Sequence, residues 1–75
     1  MRTKPTGADV RAERYRQTPP ITQGELAEHL GWYRQAITLI ENGQMEESVP
    51  AALRGVQEIA KKRLEAERRE RERQA

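Results

Sequence analysis

Arg34, Gln35 and Thr38 fall within one short stretch of the chain, and Ile37 and Ile40 interleave with them. On a helix that order turns the isoleucines to one side and the polar trio to the other. A guanidinium pairs in bidentate fashion with guanine and a carboxamide with adenine, each for ~1–3 kcal/mol of discrimination between bases. Thr38 lies one turn beyond Arg34, in reach of a base edge, a thymine methyl or a phosphate. Such a face is suited to the floor of a major groove.

Other chemistries lack their residues. With no cysteine in the sequence there is no disulfide, thiolate metal site or thiol nucleophile. His29 is the single histidine, set among acids with no second ligand to share a metal, and is expected at the surface. Nothing matches a nucleophile with its base, a phosphate loop or paired carboxylates. The expectation is a protein that is no enzyme and carries neither cofactor nor metal.

The elements that must present the polar trio are legible around it. Thr22 to Gly43 reads TQGELAEHLGWYRQAITLIENG, two short helical patterns hinged by Gly31, with Leu26, Ala27, Leu30, Trp32, Ile37 and Ile40 as their apolar stripes. This is the layout of a helix-turn-helix. Ala27 is small where the two helices cross, and Gly31 reverses the chain at little conformational cost. Thr22 is a candidate N-cap and Glu25 completes a capping box. The later helix spans about Tyr33 to Glu41, with Asn42-Gly43 as its stop.

Upstream, a first helix is predicted from Gly7 or Ala8 to Gln17, burying Val10, Ala12 and Tyr15, and ended by Thr18-Pro19-Pro20. Downstream, a loop from Gln44 to Glu47 leads to Ser48, which can cap a fourth helix that tolerates Pro50 in its first turn. Val49, Leu53, Val56, Ile59, Ala60 and Leu64 give that helix one apolar face. Past Leu64 the Glu/Arg run offers i,i+4 pairs such as Glu65–Arg69 and Glu67–Arg71 but no stripe, so a solvated, fraying extension is expected. The fold class is therefore all-α: a compact helix-turn-helix domain of about four helices with an extended C-terminal helix. It divides into a flexible basic arm at 1–6, the domain at 7–64 and a charged tail at 65–75.

A chain of 75 residues makes one small domain that buries only about 60 % of its surface on folding. Its net charge of +2, from 14 basic and 12 acidic side chains, is low for coating nucleic acid non-specifically. A helix-turn-helix works with this balance, because backbone N–H groups at helix N-termini also hold phosphates. No apolar run approaches the ~20 residues of a membrane span, and no signal-peptide core follows Met1. The expected setting is a reducing cytoplasm, without membrane attachment.

Ile21-Thr22-Gln23, then Glu25-Leu26-Ala27, Leu30-Gly31, Ile37 and Ile40-Glu41-Asn42-Gly43 resemble, in order and spacing, the lambda-repressor/Cro-like (XRE-type) helix-turn-helix family. The resemblance runs without an insertion from about Val10 to Leu53. It implies that Gln23 contacts a phosphate or braces a recognition side chain, and that Tyr33 and Asn42 meet the phosphate backbone, although Tyr33 can also simply cover the turn. It implies an ion pair too: Arg16, seven residues before Gln23, occupies the place of a family arginine whose partner is the Glu of Glu-Asn-Gly, here Glu41. Trp32 stands at a core position normally aliphatic. Leu39 departs from the pattern, which is more often polar there, and either touches a thymine methyl or packs against the fourth helix or a partner. Glu46 and Glu47 also depart, standing where basic residues often approach the backbone.

The function expected from these features is sequence-specific binding of double-stranded DNA by a small transcriptional regulator. The resemblance implies a dimeric autorepressor of a phage or plasmid operon, of the kind that accompanies anti-CRISPR genes on mobile elements, with no sensory or cleavage domain. So small a unit is expected not to enclose both sides of its fourth helix, which leaves Val56, Ile59 and Leu64 for a homodimer interface on a palindromic operator. The alternative is an antitoxin or other protein-interaction module whose C-terminal helix embraces a toxin or other partner, DNA binding being secondary. Against it, the tail past Leu64 has no apolar anchors.

Overall fold

A computed structural model describes residues 4–74. It contains four helices, α1 (Gly7–Arg16), α2 (Gln23–Leu30), α3 (Arg34–Glu41) and α4 (Val49–Gln74), with one 3-10 turn at Glu46–Ser48 before the last. The all-α class and the long C-terminal helix match expectation, and the described residues contain no strand. None of the helices is long and apolar enough to cross a membrane. Of the expected arm, Met1 to Thr3 lie outside the described residues, as does Ala75 of the tail. Thr6 belongs to the body: its N–H donates to the Asp9 carboxylate at 2.7 Å, which fixes the first turn of α1.

Local sequence explains each boundary. Thr22 Oγ1 accepts from the Glu25 N–H at 3.0 Å, as an N-cap does. Only half of the expected capping box forms, because the Glu25 carboxylate is taken by Arg63 of α4. Gly31 sits at φ +72°, and the Trp32 N–H returns to the Ala27 carbonyl at 2.8 Å, the closure of a left-handed helix stop. Tyr33 is the residue before α3 rather than its first turn, and Asn42 ends it. Past Leu64 the chain changes its packing and keeps its secondary structure, since α4 runs unbroken to Gln74. Its 26 residues extend for about 39 Å.

The core is small and aliphatic: Val10, Ile21, Leu26, Ala27, Ile37, Ile40, Val49, Ala52, Val56 and Ile59, with Leu30, Trp32 and Leu53 packed against it. α1 approaches α3 so closely at Gly7 that a β-carbon there would collide with the Ile40 carbonyl oxygen. Two expectations for α1 fail. Ala12 and Tyr15 are exposed, and the stripe that turns inward is Gly7, Val10 and Arg14. An arginine thus occupies a core position, 4 % exposed.

The dimer interface assigned to Val56 and Ile59 is corrected as well. These side chains are 1 % and 6 % exposed within their own chain. The short α1 and α2 together form a trough in which α4 lies, packing on both. Val49, Ala52, Val56 and Ile59 follow a helical three/four spacing, so one trough covers all of them. Of the three interface candidates only Leu64 remains exposed, at 63 %. The outward face of α4 around it carries Arg54, Lys61, Arg68 and Arg71, all exposed.

Candidate nucleic-acid interface

The surface assembled by α2 and α3 begins from an ion pair inside the domain. Arg14 donates through Nε to Glu41 Oε2 at 2.7 Å and through a terminal nitrogen to Oε1 at 2.8 Å, a bidentate clasp with both side chains only 5 % exposed. Its other terminal nitrogen donates to the Ile21 carbonyl at 2.8 Å. The hydrogen bond to Glu41 raises the Arg14 pKa, and burial works against it. The pair therefore ties α1 to the end of α3 and to the loop before α2.

This clasp replaces the expected Arg16–Glu41 pair. Arg16 is exposed and instead reaches Glu13 at 3.3 Å on its own helix. Helix phase is the reason. Arg14 shares the inward stripe of Gly7 and Val10, whereas Arg16 stands two residues further, ~200° around the helix. Counting back from Gln23 follows the loop length; the side-chain direction follows the helix.

Gln23, at the first turn of α2, rests on the clasp. Its Nε2 donates to Glu41 Oε1 at 3.2 Å, and its Oε1 accepts from the Thr38 hydroxyl at 3.2 Å. Gln23 thus braces a side chain of α3, one of the two roles its position implied. Arg34, Gln35 and Thr38 are all exposed, on the face of α3 opposite the buried Ile37 and Ile40. Leu39 is also exposed, which removes the reading in which it packs against α4.

Beside Gln23 an open cleft of about 530 Å³ brings Arg34 and Asn42 together with Arg11 of α1 and the N-terminus of α2. Arg14 and Glu41 also line it but neutralise each other, so the guanidinium groups of Arg11 and Arg34 and the N-terminus of α2 favour an anion such as a phosphate. Arg11 was not among the expected site residues. Its signal was available in the sequence, since it stands one helical turn before Tyr15, whose ring lies 5.8 Å from the Arg11 guanidinium and 5.2 Å from that of Arg14. Tyr33, at 83 % exposure, does not cover the turn. Gln23, Arg34 and Asn42 thus line one cleft and Thr38 is joined to it through Gln23, while Tyr33, Gln35 and Leu39 stand on the surface outside it.

On the other side of α2, polar links fasten α4. His29 Nε2 lies 2.8 Å from Glu58 Oε1, and this hydrogen bond lowers the Glu58 pKa. His29, its side chain 16 % exposed, is therefore a largely covered link between helices rather than a plain surface residue. Arg63 meets both oxygens of Glu25, at 3.1 and 3.3 Å, and the carbonyl of Pro19. Among the described residues no cluster of His, Cys, Asp and Glu is arranged to hold a metal ion. No family model, curated protein or solved structure matches the chain.

Proposed function

We propose that this protein binds double-stranded DNA in a sequence-specific manner, with α3 in the major groove, and regulates transcription from the site it covers. The observation that carries this reading is the exposed row Arg34, Gln35 and Thr38 on a helix fixed from behind by the Arg14–Glu41 clasp, with the Arg11/Arg34/Asn42 cleft beside it. Side chains that reach base edges need a rigid support, and a flanking anion site sets the register on the backbone. The helix-turn-helix geometry and the resemblance to the lambda-repressor/Cro-like family support the same conclusion.

An autorepressor of a phage or plasmid operon, acting in the cytoplasm as a homodimer on a palindromic operator, completes the proposal. Two-fold symmetry places half-site centres near one helical turn, ~34–36 Å, apart. The surface for the second copy is now narrowed to what the monomer leaves open, with Leu64 the remaining apolar candidate. The protein-interaction alternative draws little support, because residues 65–74 are all exposed and carry no large apolar side chain.

Selection of bound sequences from a random DNA library tests the reading directly. A palindromic motif is expected, and no enrichment at all would defeat it. Arg34→Ala and Gln35→Ala should each weaken binding to the selected site by ~1–3 kcal/mol with little change in thermal stability. Affinity should also fall with salt at a log–log slope near −0.9 per phosphate neutralised.

A further inference from the structure

Four side chains form a hydrogen-bonded line from the core to the outer face of α3, and the charge at its inner end fixes the polarity of every link. The Glu41 carboxylate, gripped by Arg14, only accepts. The Gln23 amide, 3.2 Å from Glu41 Oε1, must therefore turn its NH2 group inward and its carbonyl oxygen toward Thr38. That oxygen has no hydrogen to give, so the Thr38 hydroxyl, 3.2 Å away, is the donor. The second acceptor near it, the Arg34 carbonyl oxygen at 3.4 Å, competes for the same hydrogen. A hydroxyl has only one. What Thr38 shows to the outside is thus a pair of oxygen lone pairs and a methyl group.

We infer that Thr38 reads DNA as a hydrogen-bond acceptor only, and that Gln23 is the positioning residue that imposes this polarity. The inference rests on the DNA-binding reading and deepens it. In the major groove the donors are the exocyclic amines, N6 of adenine and N4 of cytosine, whereas N7 and O6 of guanine and O4 of thymine are acceptors. A free threonine serves either kind of edge by rotating its hydroxyl. Here the rotor is occupied, so the oxygen favours an amine, and facing N7, O6 or O4 it sets lone pairs against lone pairs. The clasp beneath α3 thereby contributes to base preference without touching a base.

The test uses the full-length protein and the site selected from the random library. Thr38→Val keeps the shape and removes the hydroxyl, and the base pair whose preference it relaxes is the one Thr38 meets. At that pair, adenine is replaced by purine or cytosine by pyrimidin-2-one to delete the amine, and separately the purine is replaced by its 7-deaza analogue to delete the N7 acceptor. Deleting the amine should weaken binding of the parent roughly three- to tenfold, the worth of one hydrogen bond, and leave Thr38→Val unaffected; the 7-deaza change should be neutral for both. In Gln23→Leu only the longer contact to the Arg34 carbonyl, at 3.4 Å, still competes for the hydroxyl hydrogen, so the hydroxyl can turn to donate and loss of the amine should cost this variant less than it costs the parent. A parent insensitive to the amine but sensitive to N7, or a Thr38→Val variant with an unchanged motif and an unchanged melting temperature, overturns the inference while DNA binding stands. A parent that enriches no sequence overturns both together.

Discussion

Two arginines hold the loop between α1 and α2, each with nearly the same set of partners. Arg14 grips both oxygens of Glu41 and the carbonyl of Ile21; Arg63 grips both oxygens of Glu25 and the carbonyl of Pro19. They differ in donor geometry and in water. The Arg14–Glu41 side chains are 5 % exposed at both ends, against 28 % and 40 % for Arg63 and Glu25. One clasp is a fork of two nitrogens at 2.7 and 2.8 Å closed off from water, the other a single nitrogen shared between two oxygens at 3.1 and 3.3 Å and open to it. In the buried clasp, loss of one partner strands a charge that cannot be rehydrated. In the exposed one, water takes over the vacated contacts.

The largest effect should come from Glu41→Ala, which leaves the Arg14 guanidinium inside the domain and is expected to lower stability by ~3–5 kcal/mol. Arg16→Ala serves as its control and should stay within ~0.5 kcal/mol, as exposed substitutions do. Urea denaturation measures both; equal losses would mean that Arg14 has no privileged place. Arg63→Ala comes next, at no more than ~1 kcal/mol for a half-exposed pair. If it matched Glu41→Ala, neither burial nor donor geometry would separate the two clasps.

The smallest effect belongs to His29 and Glu58, where the carboxylate is the more exposed member. The hydrogen bond from His29, helped by the nearby charges of Arg54 and Lys62, depresses the Glu58 pKa in the folded chain. A depressed carboxyl pKa contributes stability above its unfolded value and loses it as pH falls through the lower folded value. Thermal melts of parent and Glu58→Gln should thus differ slightly at neutral pH and converge in acid. A gap that widened on acidification would contradict this assignment.

Much of the candidate site could be read from residue order alone. Ile37 and Ile40 had to turn inward, and that left Arg34, Gln35 and Thr38 outward whatever else the chain did. Arg14 was readable in principle, through its phase with Gly7 and Val10, but three arginines crowd α1 and counting from Gln23 selected Arg16. The count assumes a loop length; the phase does not. Val56 and Ile59 belong to an apolar stripe, as their spacing predicts, but the stripe is covered within the chain and not by a second copy. Periodicity identifies a buried face, and nothing in it says whether the cover comes from the same chain or from another.

The sequence by itself determined the elements: the four helices, the proline stop after α1, the reversal at Gly31, the end of α3 at Asn42-Gly43 and the loss of an apolar stripe past Leu64. These follow from backbone conformation and helical period, which act within a few residues. Only the tertiary structure decided that α4 lies in the trough of α1 and α2, that Arg14 meets Glu41 and that Gln23 links this clasp to Thr38. Those contacts join residues 15 to 44 positions apart in the chain. No local pattern selects among several arginines or several glutamates at such range, because the choice depends on which side chains are brought together once the helices have packed.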